Sequence, residues 1–104
     1  MITINIKRNS KNEIVSFSLN GHAGYDVNGK DIVCAGVSAI VTGGLNALTN
    51  ENKNKISCVI KDGYVNVDVL DIDDDKLQLI MNVIIIQLKT IEESYKKYIK
   101  INEM

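Results

Sequence analysis

Several side chains that carry chemistry or bind charge are nearly absent from this chain. Its 104 residues include one histidine, His22, two cysteines, Cys34 and Cys58, and one arginine, Arg8. The formal net charge is −1. A dedicated nucleic-acid binder needs a concentrated basic face, so direct nucleic-acid binding is not expected. Nor does any basic run support an electrostatic membrane anchor. The apolar run Val83–Ile86 is far too short to span a bilayer. The N-terminus, MITINIKRN, alternates apolar and polar residues, whereas a signal peptide has a basic start and a continuous apolar run. A cytoplasmic location is the resulting expectation, with both cysteines reduced and no structural disulfide. No repeat, linker or low-complexity segment is visible.

What is present is a core. Hydrophobic residues make up 45% of the chain, and the length suits one domain over residues 1–104. Ile2, Ile4 and Ile6 alternate with Thr3, Asn5 and Lys7, which predicts a half-buried strand. After the polar turn 9–12, residues 13–20 alternate again, with Val15, Phe17 and Leu19 on one side. The two segments predict a hairpin. A loop over 21–30 holds three glycines and the turn signal Asn28-Gly29.

Asp31 has the chemistry of a helix N-cap, and a helix is expected from Ile32 to about Leu48. Its buried stripe would be Val33, Val37, Ile40, Val41, Leu45 and Leu48. A second stripe of small residues, Ala35, Ala39, Gly43 and Ala47, would let another backbone approach. Gly43-Gly44 alternatively marks a helix end or kink. A polar connector over 49–55 leads to a third strand around Ile56, Cys58 and Ile60, the turn Asp62-Gly63, and a fourth strand with Val65, Val67 and Val69 inward. The segment 71–75 opens a long helix to about Tyr98, with Leu77, Ile80, Met81, Ile84, Leu88, Ile91 and Tyr95 as its core stripe. Leu79, Val83 and Ile86 widen that stripe and would cover the first helix or a partner subunit. Residues 99–104 are a short tail or an edge strand. The predicted fold is α+β in the order β-β-α-β-β-α, mostly antiparallel, with two helices.

Chemistry concentrates between Gly21 and Ser38. If Asp31 is the N-cap, Cys34 is the third helical residue. A helix N-terminus and a neighbouring imidazolium are two devices that activate a thiol. His22 closes the second strand, and a loop of this length can bring it to that turn. A thiolate–imidazolium pair is the basis of cysteine nucleophilic catalysis. Residue pattern alone favours Cys34 as a small buried hydrophobe and His22 as a loop residue. Asp31 can cap the helix or assist the pair, and Ser38, one turn on, can offer a hydroxyl to the same face. A zinc site needs four ligands, which these isolated residues do not form. The run Asp71, Asp73, Asp75 starts like a calcium loop but has Lys76 and Asn82 where the glycine and glutamate belong. It reads as cap and dipole-compensating charge. No metal and no cofactor are expected.

The stretch Gly21-His22-Ala23-Gly24-Tyr25-Asp26, then Gly29, then Asp31-Ile32-Val33-Cys34-Ala35-Gly36-Val37-Ser38 closely resembles the signature of the ribosomal-processing cysteine proteases, the Prp family. The likeness extends over the whole chain, including a C-terminal run like QLKTIEESY, Gln87 to Tyr95. The resemblance implies a cytoplasmic cysteine endopeptidase, homodimeric, with Cys34 as nucleophile and His22 as general acid/base. Asp31 and Ser38 would support them. The loop bearing Gly24, Tyr25 and Gly29 would move as the substrate enters. The implied substrate is the N-terminal extension of a large-subunit ribosomal protein, ending in aromatic residues that occupy an apolar pocket beside the loop. A non-catalytic ribosome-assembly or ribosomal-protein-binding module is the alternative, and thiol reactivity distinguishes the two. A redox-sensing thiol would need an accessible resolving cysteine, which Cys58 in a strand does not supply.

Overall fold

The alternating segments at the two ends of the chain become neighbouring strands of one sheet. The computed structural model describes residues 1–27, 29–51 and 54–104. Strands β1 (Ile2–Arg8) and β2 (Ile14–Asn20) form the first hairpin, followed by α1 (Ile32–Glu51). Strands β3 (Ile56–Lys61) and β4 (Tyr64–Val69) form the second, followed by α2 (Asp75–Ser94) and β5 (Ile99–Glu103). Sheet order is β3-β4-β2-β1-β5. All pairs are antiparallel except β1 with β5, which is parallel. The α+β order is therefore as expected, with the C-terminal tail completing the sheet as an edge strand.

One sheet face carries the core. Ile2, Ile4 and Ile6 join Phe17, Leu19, Val65 and Val67 in a single buried cluster with both helices. From α1 it takes Val33, Val37, Val41, Leu45 and Leu48, and from α2 Leu77, Met81, Ile84, Ile85 and Leu88. By length and composition α1 is apolar enough to cross a membrane. Here its long apolar stripe is spent on the sheet, each buried valine or leucine contributing roughly 1.5–3 kcal/mol.

The structure corrects the sequence expectations at several points. Val15 is not on the core face with Phe17 and Leu19. The β1–β2 register shifts between Lys7 and Arg8, so a bulge brings Ile14 inward, where it is fully buried. Gln78 of α2 completes that site: its Oε1 accepts from the Ile14 N–H at 2.8 Å, and its Nε2 donates to the Ile14 carbonyl at 2.9 Å. Helix α1 runs through Gly43-Gly44 without ending and continues past Leu48 to Glu51, taking up the start of the expected connector. The rest of that connector includes positions 52 and 53, which lie outside the described residues, as does Asn28 of the Asn28-Gly29 turn. Helix α2 stops at Ser94, short of Tyr98, with Tyr95 as its C-cap. Its N-cap is Asp74, whose Oδ1 accepts from the Leu77 N–H at 3.0 Å, rather than Asp71, Asp73 or Asp75. Lys55 pairs with Asp74, which raises the lysine above its ordinary range and, with the Leu77 amide, lowers the aspartate.

The close helix–helix approach is also not on the predicted small-residue stripe. Ile40, Ala39, Gly43 and Ala47 instead line an open furrow between α1 and α2, beside Leu79 and Val83. The approach is made by Gly36 and Gly44. A Cβ on Gly44 would lie 2.5 Å from Cγ1 and Cδ1 of buried Ile84, and one on Gly36 3.3 Å from Cδ1 of Ile91. Around Gly43 there is open space. The two adjacent glycines should therefore respond with opposite sign. Gly43→Ala is expected to stabilise the protein by about 0.5–1 kcal/mol through helix propensity. Gly44→Ala should destabilise it, because overpacking of roughly 1–3 kcal/mol outweighs the same gain. Urea unfolding midpoints check this, and equal shifts would contradict the assigned helix contact.

Candidate active site

The site forms where three elements end together. Strand β2 stops because the chain turns at Gly21, with φ of 93°. The Gly21 N–H donates to the Gly63 carbonyl at 2.8 Å, and a Cβ on Gly21 would collide with the Met1 carbonyl oxygen. Only glycine meets both demands. His22 comes next, with an exposed side chain. It stands beside the β3–β4 turn, its Nε2 4.0 Å from Oδ1 of Asp62.

The start of α1 supplies the thiol. Asp31 is the cap: its Oδ1 accepts from the Cys34 N–H at 2.9 Å, and its carbonyl accepts from the Ala35 N–H at 3.0 Å. Its second oxygen, Oδ2, accepts from the Tyr25 N–H at 2.9 Å. The Cys34 amide is the main reason that the Asp31 carboxyl lies below its ordinary range. Burial opposes this, and the amides of Tyr25, Asp26 and Val33 add to it. Both oxygens are thus engaged by backbone N–H groups at the helix start and in the loop. This meets the capping expectation for Asp31.

Cys34 is half-buried in the first helical turn, where the amide dipoles favour negative charge. His22, Asp31, Cys34 and Ser38 line one cleft of about 530 Å3 together with the loop glycines Gly24 and Gly29. Asp26 and Asp62 add carboxylates on this side. Tyr25 turns away from the cleft. Its ring packs edge-on against Tyr95 and Tyr98, with centroids 5.8 and 5.1 Å apart. The loop is therefore fastened at Tyr25 by its backbone and its side chain.

A second lobe of about 330 Å3 shares His22, Cys34, Ser38 and Asp62 with the first. Its apolar lining comes from Ile2, Leu19, Val37, Val41, Ile60 and Val65. These side chains face the lobe from the side of the β3–β4 hairpin and from the inner face of α1. A thiol at a helix start and an imidazole in the same cleft are the groups nucleophilic acyl transfer requires. Amides at a helix start can receive the oxyanion that forms.

Asp62 and Gly63 are the site neighbours that sequence reasoning did not place there. Asp62-Gly63 has a turn signal but no local pattern connecting it to His22. Cys58 stands apart. It is half-buried in β3, and desolvation, with the Asp68 carboxylate adding to it, pushes its thiol up. Among the described residues no group of three or more His, Cys, Asp or Glu is arranged to hold a metal ion.

Comparison with known proteins extends the geometry. A family model described as cysteine protease Prp matches residues 1–100. The ribosomal processing cysteine protease Prp of Staphylococcus aureus is 36% identical over 105 residues, covering 98% of each chain. A crystal structure of the S. aureus Prp protease with a covalently linked product peptide superposes with a TM-score of 0.96 at 33% identity, covering both chains completely. A second, with a substrate peptide, gives a TM-score of 0.89 at 32% identity, also over both complete chains.

The Asp31 cap has a pH signature. Folding favours the ionised form of a carboxyl whose folded pKa is lowered. Its contribution is complete above the ordinary carboxylate range and fades as pH falls through the lowered folded value. Asp31→Ala is expected to lower the urea midpoint at neutral pH, and the gap to the parent should narrow as pH falls through and below that range. A gap independent of pH would show that the carboxylate charge is not what holds the helix start.

Proposed function

This chain belongs to the cysteine protease Prp family and is a protease, and from that premise we propose that Cys34 is its nucleophile and His22 its general acid/base. The observation that carries the reading is their shared cleft, with Cys34 fixed at a capped helix start. The Cys34 thiolate attacks the scissile carbonyl carbon, and amides at the start of α1 receive the oxyanion. As the C–N bond breaks, His22 gives its proton to the leaving amine. His22 then takes a proton from water, which hydrolyses the thioester and releases Cys34. Asp31 supports the site as the cap, and Ser38 offers its hydroxyl from the next turn.

The substrate is the N-terminal extension of a large-subunit ribosomal protein. The relatives named as ribosomal processing proteases support this class. Aromatic side chains ahead of the scissile bond fit the apolar lobe lined by Leu19, Val37 and Val65. Gly24 and Gly29, at φ of 68° and 88°, provide the backbone freedom for the loop to move as the peptide enters, a motion that would release or pivot on the Tyr25 contacts. Residues 1–104 act as one protease domain in the cytoplasm, without a cofactor. The enzyme is a homodimer, joined across the exposed α1/α2 face. Leu79 and Val83 form a ridge there beside the furrow of Ala39, Gly43 and Ala47, so a two-fold axis would set the ridge of one copy in the furrow of the other.

Cys34→Ala should abolish cleavage of a peptide spanning an extension junction while leaving the far-UV spectrum unchanged. Cys34 should react with iodoacetamide much faster than Cys58 at mildly acidic pH, and His22→Ala should remove that advantage. Equal rates for the two thiols would favour a binding module over a protease centre at Cys34. Sedimentation equilibrium should give a two-chain mass that Val83→Asp reduces to one. A parent protein that sediments as a single chain would exclude the dimer.

A further inference from the structure

Asp31 is engaged by the Cys34 and Tyr25 amides, whereas His22 stands against the β3–β4 turn. The geometry points to the β3–β4 turn: Gly63 and Asp62 are the positioning residues for His22. This rests on the reading of His22 as the partner of Cys34.

Three observations carry it. First, the residue before the histidine is tied to this turn, the Gly21 N–H donating to the Gly63 carbonyl at 2.8 Å. The backbone leading into His22 therefore cannot shift without breaking a hydrogen bond to the turn. Second, the imidazole lies against Gly63 itself. A Cβ built there would stand 2.8 Å from Nε2 and 3.4 Å from both Cδ2 and Cε1. A Cβ does not sit 2.8 Å from a ring nitrogen, so a methyl group at 63 would displace the ring. Gly63 also sits at φ of 65°, so it meets a conformational and a steric demand at once. Third, the Asp62 carboxylate faces Nε2 at 4.0 Å. Its side chain is fully exposed, so solvent screens the attraction and it is the smaller part of the device.

The function of the seat is distance control. A misplacement of about 1 Å can lower a rate by a factor on the order of a hundred. Gly63→Ala tests the steric part, read by iodoacetamide alkylation of Cys34 at mildly acidic pH. The expected result is a loss of at least about tenfold, approaching the rate of His22→Ala, with kcat for peptide cleavage falling and KM little changed. In a His22→Ala background Gly63→Ala should have no further effect. A general structural defect would slow alkylation in both backgrounds, and that result would overturn the proposal. So would a folded Gly63→Ala protein with parental alkylation and kcat.

Asp62→Asn, on an exposed side chain, keeps the proposal testable if Gly63→Ala does not fold. It should lower kcat by roughly threefold at low salt, with the difference disappearing at high salt. An unchanged kcat at low salt would then overturn the proposal. If His22→Ala alone leaves Cys34 alkylation unchanged, the pairing itself fails, and the seat fails with it. Parental behaviour of Gly63→Ala beside a slowed His22→Ala rejects the seat alone.

Discussion

The carboxylate of Asp31 joins two parts of the molecule that the backbone alone would leave independent. One oxygen holds the Cys34 amide and the other the Tyr25 amide, each at 2.9 Å. The first bond satisfies a helix-start N–H that would otherwise lack a partner, which fixes where α1 begins. That in turn fixes Cys34 in the first turn. The second bond folds the loop back onto the helix start. Tyr25 then reaches Tyr95 and Tyr98, in the turn between α2 and β5. The helix start, the loop and the far end of α2 are thus linked in series through Asp31 and Tyr25. The arrangement also sets a compromise: a carboxylate next to Cys34 opposes negative charge on sulfur, while the helix amides favour it. Drawing both carboxylate oxygens onto backbone N–H groups disperses the opposing charge.

Sheet order brings the remaining parts together. Strand β4 lies next to β2, with Asn20 opposite Tyr64. The β3–β4 turn is therefore level with the point where β2 ends. Gly21 and Gly63 bring the two backbones within hydrogen-bond distance, and both have positive φ. Neither position tolerates a side chain easily, one because of Met1 and the other because of His22. These glycines set close approach, whereas Gly24 has open space around it. Glycines that look alike in the sequence thus do different physical work.

Local patterns were legible and distant ones were not. The alternation of Ile2, Ile4 and Ile6, the valines of β4 and the Asp31 cap three residues before Cys34 all depend on neighbours in sequence, and each has its expected local structure. Val15 was misplaced because a bulge is a property of the strand pair; the extra residue is absorbed where Gln78 can satisfy the Ile14 backbone. Which small residues meet α2 is likewise not a local property. Composition marks Ala39, Gly43 and Ala47 as suited to close packing, but only the position of Ile84 and Ile91 selects Gly44 and Gly36. Tyr95 and Tyr98 continue the apolar spacing of α2 beyond its end at Ser94, while their rings instead meet Tyr25. Asp62 and Gly63 reach His22 only through the pairing of β2 with β4, which no short window contains.

Helix α1 explains why the site and the core adjoin. Cys34 and Ser38 are four residues apart and share one stripe, and Val37 and Val41 form the stripe beside it. Those valines are almost completely buried, yet they also line the apolar lobe of the cleft. The lobe is therefore the open edge of the core rather than a separate pocket. Leu19 of β2 and Val65 of β4 close it from the sheet side, and both belong to the same buried cluster. An apolar side chain entering there would extend the core at the point where the Cys34 stripe begins. Binding and reaction geometry would then share a scaffold: the packing that holds Val37 and Val41 against the sheet also holds Cys34 in its place on the wall of the lobe. A substitution deep in α1 that rotated the helix by a fraction of a turn would disturb both together, although it touched neither Cys34 nor His22.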